Sequence, residues 1–149
     1  MADLEDFARL ISGDHGLCVV STLRADGSIQ STVVNAGVLE HPVSGEPVIG
    51  LVARGGTRKL DNLRARPYAS IVVRSGWQWA TAEGSVQLAG PDDALTGLDA
   101  DGVRLLLRAV FTAAGGTHDD FEAYDRVMAD ERRTAVLLRP DRIYSNPEG

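Results

Sequence analysis

Lysine is almost missing from this sequence, and cysteine is equally scarce. Lys59 is the only lysine among the 15 basic residues of a 149-residue chain. Cys18 is the only cysteine, so no internal disulfide can form, which suits a reducing cytoplasm. No apolar run approaches the roughly 20 residues of a bilayer span, and Met1 is followed by an acidic helical segment instead of a signal core. A cytoplasmic protein is therefore expected. Positive charge is in deficit: the net charge of −6 excludes a broad phosphate-neutralising surface of the kind nucleic-acid binding needs. The three histidines, His15, His41 and His118, are scattered with no second ligand at metal-binding spacing, so no metal site is expected. No Gly-x-Ser-x-Gly elbow supports a serine nucleophile, and Cys18, set in an apolar strand, reads as a buried structural thiol.

The 15.9 kDa chain fits one domain, residues 1–149, large enough to bury about two-thirds of its unfolded surface without staples. Abundant Ala, Gly, Asp and Arg match a GC-rich coding bias, which accounts for most of the arginine skew. It leaves open why position 59 holds an ammonium.

Periodicity divides the chain into short elements. Leu4, Phe7, Leu10 and Ile11 share one face of a helix over 2–12, with Asp3 as N-cap. Strands are expected at 16–23 and 28–39, joined at Ala25–Asp26–Gly27, because a tight hairpin needs a residue tolerant of positive φ. A turn over 40–47 leads to an apolar strand at 48–53. Thr57 caps a short helix with Leu60 and Leu63 inward, which Pro67 stops. Strands at 69–74 and 77–88 follow, split at Ser75–Gly76. Val103, Leu106, Leu107, Val110, Phe111 and Ala114 form a helical stripe. A helix over 119–130 turns Phe121, Tyr124 and Met128 inward, with Arg132–Arg133 past its end where the helix dipole favours cations. A last strand is expected at 134–138, then a turn at Pro140 and a segment at 143–145. This order is α+β, built on an antiparallel barrel or sandwich with peripheral helices. The early connections are too short for parallel crossovers.

Two segments carry chemical information. Arg58 and Lys59 occupy the first turn of the short helix, where the dipole disfavours cations. Either both are solvated, or an anion sits over the same helix end. In the second case backbone N–H groups behind Gly55–Gly56 would join them in holding a phosphate, for which lysine is a compact point charge. The segment Trp77–Gln78–Trp79 contains both tryptophans; on a strand Trp77 and Trp79 share a face. They cover a core or dimer interface, or they wall a planar ligand. Strands 31–35 and 48–53 run toward the phosphate helix and offer backbone groups to such a ligand.

In order, the residues His15–Gly16–Leu17, Thr22–Leu23–Arg24–Ala25–Asp26–Gly27, Lys59-x-x-Asn62–Leu63-x-x-x-Pro67, Gly76–Trp77 and Ala82–Glu83–Gly84 form a pattern. It continues through His118–Asp119–Asp120–Phe121-x-x-Tyr124, Arg133 and Pro140–Asp141–Arg142–Ile143–Tyr144. From about residue 13 onward the chain thereby resembles the split β-barrel flavin and deazaflavin oxidoreductases, the pyridoxamine 5′-phosphate oxidase superfamily. Within it, the chain is most similar to the small actinobacterial branch that uses the deazaflavin coenzyme F-420, a likeness to which the insertion over 103–132 adds. The resemblance implies a homodimer with cofactor sites at the interface. Thr57, Arg58 and Lys59 would contact the phosphate, with Asn62 nearby. Val33, Val34, Val52 and Ala53 would lie beside the ring system, and Trp77, Gln78 and Trp79 would arrive from the partner. Arg24, Arg54 and Arg64 are candidate cations for the lactyl-glutamate tail, or ordinary surface charge. The cofactor would carry the hydride, which accounts for the missing catalytic constellation. Tyr124, Tyr144 and His118 qualify as proton donors by residue type only, so no catalytic residue is assigned. The implied function is hydride transfer to an unsaturated small molecule. The alternatives are an FMN-dependent oxidase or reductase and a non-catalytic cofactor-binding protein. The C-terminal Arg and His of true pyridoxamine phosphate oxidases have no counterpart in Ser145–Asn146–Pro147–Glu148–Gly149, which points away from vitamin B6 oxidation.

Overall fold

The computed structural model describes residues 3–146; Ala2 of the expected first helix and residues 147–149 lie outside the described residues. Six strands close into one barrel in the order β1-β2-β3-β6-β5-β4. They are β1 (Leu17–Leu23), β2 (Ile29–Glu40), β3 (Pro47–Ala53), β4 (Tyr68–Ser75), β5 (Gln78–Ala89) and β6 (Thr134–Ser145). Every neighbouring pair is antiparallel, and closure leaves no open edge to template aggregation. Among the described residues four helices decorate it: α1 (Leu4–Gly13), α2 (Arg58–Ala65), α3 (Ala100–Ala113) and α4 (Phe121–Asp130).

Local sequence accounts for most boundaries. Asp3 and Asp6 form a reciprocal capping box on α1, and Phe7, Leu10 and Ile11 are its buried face. The β1–β2 hairpin turns through Ala25–Asp26–Gly27, with Gly27 at φ +87° and the Asp26 carboxylate accepting from the Ser28 N–H at 2.9 Å. Asp99 caps α3 and Asp120 caps α4, so α4 starts two residues later than its periodicity suggests.

The fold has two apolar layers. Inside the barrel, Val20, Ile49, Leu51, Ile71, Val73 and Leu138 pack with Phe7 of α1 and with Leu60 and Leu63 of α2. Outside it, Val48 of β3 and Ala135 and Leu137 of β6 pack under Leu106, Leu107 and Val110 of α3 and Tyr124 of α4. Strands covered on both faces read as continuous apolar runs, as β3 and the first half of β6 do.

Two expectations are corrected. Pro140 does not end a strand: β6 runs unbroken from Thr134 to Ser145. It accommodates the proline at a bulge, where Gly84 pairs with Pro140 but Glu83 pairs with Arg142. Gly84 makes the bulge possible, since a Cβ there would lie 1.8 Å from the Arg139 carbonyl oxygen. Trp77 is not on β5 beside Trp79. It sits in the β4–β5 turn and is 93% exposed, because Gly76, at φ +61°, turns the chain before the ladder begins.

Candidate functional site

Strand β3 delivers the chain to the N-terminus of α2 through Arg54–Gly55–Gly56–Thr57, while α3 and α4 cover the adjacent barrel wall. Between them lies a cavity of about 420 Å³. Its apolar wall comprises Val33 and Val34 of β2, Val52 and Ala53 of β3, and Phe111 of α3. Its polar groups include Thr57, Lys59, Arg54, Arg133 and Asn35, whose amide is taken up by the His15 carbonyl at 3.0 Å. Among the described residues this lining holds three cations and no carboxylate, in a chain whose net charge is −6.

The cations are under electrostatic tension. Burial, and then repulsion from Arg133, hold the Lys59 ammonium below its ordinary range. Among the described residues Lys59 has no carboxylate partner, and Arg133 is held from the side by Glu131 at 2.9 Å. Among the described residues the buried Thr57 hydroxyl has no hydrogen-bond partner. As N-cap it would normally accept from its own helix, but it does not. An orphaned hydroxyl beside two mutually repelling cations is a set that an anion with several acceptor oxygens would satisfy together. The residues present therefore fit the phosphate of a bound cofactor, and the valine wall fits a flat ring beside it.

The expected site residues separate into four groups. Val33, Val34, Val52, Ala53, Thr57 and Lys59 do converge on this cavity. Arg58, one residue along α2, faces a different cleft with Arg24, Asp26 and Arg66. Asn62 is 8% exposed, and its amide donates to Thr22 Oγ1 and Gln30 Oε1, each at 3.0 Å. Both of its N–H groups thus tie α2 to the barrel. Trp77, Gln78 and Trp79 do not line the cavity of their own chain. Trp79 packs edge-on against Tyr144 at 6.1 Å, and Asn146 bridges the Trp77 carbonyl and the Trp79 N–H. The expected row of unused N–H groups is also one shorter, since Gly55 donates to the Glu131 carbonyl at 3.0 Å. Of the candidate tail cations, Arg64 is engaged by Asp93 at 2.8 Å and Asp61 at 3.5 Å, whereas Arg54 is exposed at the cavity.

The candidate proton donors are engaged as well. The Tyr124 hydroxyl donates to the Leu107 carbonyl at 3.0 Å, and burial pushes its pKa up to about 12. Tyr144 donates to Glu83 at 2.7 Å. His118 Nδ1 accepts from the Asp120 N–H, with its ring among Phe111, Phe121 and Tyr124.

Sequence reasoning missed Arg133 as a site residue, along with Phe111, Tyr124 and Met128 in the wall. The helix dipole already accounted for a cation after α4, and the α4 stripe read as core.

No family model matches the sequence. Solved structures match its fold along nearly the whole chain. A conserved hypothetical protein from Mycobacterium tuberculosis superposes with a TM-score of 0.66 at 18% identity, covering 100% of this chain and 91% of the other. A pyridoxamine 5′-phosphate oxidase-related, FMN-binding protein from Nostoc punctiforme gives 0.67 at 14% identity, covering 97% and 84%. An F-420 reductase gives 0.58 at 16% identity, covering 86% and 88%. The chain thus shares the fold of these proteins, with α1–α4 on the periphery of its barrel. Among the described residues no helix is long and apolar enough to cross a membrane, and no group of three or more His, Cys, Asp or Glu is placed to hold a metal.

Proposed function

We propose that the chain is an oxidoreductase that holds coenzyme F-420 in the cavity beside α2 and reduces an unsaturated small molecule. The observation that carries this reading is the unpartnered Thr57 hydroxyl set among Lys59 and Arg133. Lys59 and Arg133 would hold the phosphate, Thr57 would donate its hydroxyl proton to it, and Arg54 would meet the anionic tail. Val33, Val34, Val52 and Ala53 would exclude water from the ring edge. When bound, such a cofactor supplies the hydride, leaving orientation and electrostatics to the protein. With Tyr124 and Tyr144 donating within the chain, the proton that completes the reduction comes from water. FMN is the second reading, favoured by the fold shared with the FMN-binding Nostoc protein.

A homodimer belongs to the same proposal. The outer faces of β1 and β2 expose Leu17, Val19, Leu23, Ile29 and Val33 together, Ile29 at 63% and Val33 at 68%. Val19 pairs with Val33 and Leu23 with Ile29, on either side of the hydrogen-bonded Ser21–Ser31 pair, so two exposed apolar pairs flank a small polar one on a face suited to an interface. Val33 also lines the cavity. A second copy on this face would reach the cavity mouth, and its exposed Trp77, with Gln78 and Trp79, is the segment suited to close over a ring.

The test is side-by-side fluorescence titration of the purified protein with F-420 and FMN. Preference for F-420 supports the proposal, preference for FMN moves it to the flavin reading, and binding of neither by the folded protein refutes it.

A further inference from the structure

A second cavity, of about 540 Å³, lies on the far side of Met128 and Arg133. Residues 90–99 form its roof, and α3 and α4 its floor. The roof is held in place. Gly90 and Asp93 exchange backbone hydrogen bonds at 2.9 and 3.2 Å, Arg64 grips Asp93, and Asp99 caps α3 at 2.7 Å. A preformed concavity of this size falls in the range of small-molecule sites.

Its chemistry differs from that of the first cavity. Leu95, Leu98, Val103, Leu107 and Ala129 supply an apolar lining. The charges at the rim are already paired: Asp93 with Arg64, Asp125 with Arg104 at 3.2 Å and with Arg108, and Arg133 with Glu131. Asp99 is occupied as a helix cap. A ligand bearing a formal charge would lose its hydration and find no partner but Arg133, which Glu131 holds from the side and which the cofactor phosphate engages on the proposed reading, a penalty that an uncharged one escapes.

The two cavities share Met128 and Arg133 as lining. Methionine is unbranched and adapts its shape to what lies on either side. We infer that the space between residues 90–99 and the α3–α4 pair is a second small-molecule site, selective for an uncharged, apolar, ring-sized compound, with Met128 as the movable wall toward the cofactor cavity. On the oxidoreductase reading, and only there, the occupant is the apolar body of the electron acceptor.

The chain contains two methionines, Met1 and Met128, so protein labelled with ¹³C-methyl methionine gives two signals, and Met128→Leu assigns them. The probes are 2-acetylnaphthalene and 2-naphthoate, similar in shape and different in charge. The Met128 signal should move saturably with the ketone, and the carboxylate should bind roughly tenfold or more weakly. Ala129→Trp, on an exposed position of α4 that lines this cavity and not the cofactor cavity, should abolish the shift by filling the space. Ala94→Trp does the same from the roof should the first variant fail to fold. An unmoved Met128 signal, equal response to both probes, or a shift that survives both filling variants would overturn the inference. FMN and F-420 titrations on the same protein keep the two claims apart. A chain that takes up the ketone but neither cofactor retains the second site and refutes the cofactor reading alone.

Discussion

Replacing Asn62 by alanine should unfold the protein more readily while leaving ligand binding nearly intact. The Asn62 amide makes two hydrogen bonds, to Thr22 Oγ1 and Gln30 Oε1, both at 3.0 Å. Thr22 is buried at 2% exposure, so its hydroxyl cannot turn to water once the amide is gone. Gln30 is only half-buried and can rehydrate. The orphaned hydroxyl costs about 1–3 kcal/mol and the other lost bond about 1 kcal/mol or less, so Asn62→Ala should lose roughly 2–3 kcal/mol. For a chain of this size that lowers Tm by roughly 5–10 °C. Replacing both buried partners with apolar groups removes the unsatisfied hydroxyl, so Asn62→Leu combined with Thr22→Val should recover most of the loss. Calorimetry and urea titration measure the stability, and cofactor titration at 15 °C measures the affinity. The reasoning is refuted if Asn62→Ala keeps the wild-type Tm, or if its affinity falls as far as that of a Lys59 variant.

Three further outcomes are expected. The folded-state pKa of Lys59 lies below its ordinary value near 10.5, so the unfolded chain binds the extra proton between the two. Ligand-free stability therefore gains a contribution as pH rises through that interval; Lys59→Met should abolish it, leaving the variant the more stable at neutral pH, and parallel wild-type and variant profiles would contradict this. Cys18 donates its thiol toward the Val34 carbonyl at 3.6 Å, and burial pushes it up to about 12. A disulfide reagent should thus label it only at the rate of unfolding, and fast stoichiometric labelling of the folded chain would be the contrary result. Val33→Glu places a charge on this exposed face and should convert the proposed dimer to monomer in light scattering while weakening cofactor binding; an unaltered mass would remove that face from the proposed interface.

The barrel was readable because its strands alternate or run apolar as their environment demands, and because Asp3 and Gly27 sit where a cap and a turn require them. The Pro140 bulge was not, since it depends on Gly84, a residue more than fifty positions away that admits the Arg139 carbonyl. Half of the site was also readable. Cations in the first turn of α2 violate a local preference, and such a violation marks Lys59. The same rule could not separate Lys59 from Arg58, because successive helical residues point about 100° apart and only the tertiary fold decides which one meets a cavity. Arg133 escaped notice for the opposite reason: at the end of α4 it satisfies the local rule.

The central claim, that Thr57, Lys59 and Arg133 hold a cofactor phosphate, is tested most directly by pairing each cofactor with its phosphate-free counterpart. Wild type and Lys59→Met are titrated with FMN and riboflavin, and with F-420 and 8-hydroxy-5-deazariboflavin. Removing one charged hydrogen bond is worth about 1.5–3 kcal/mol, so the variant should lose roughly 10- to 150-fold in affinity for the phosphate-bearing member of the preferred pair. Its affinity for the phosphate-free member should be unchanged. Equal losses on both members, or none on either, would contradict the account.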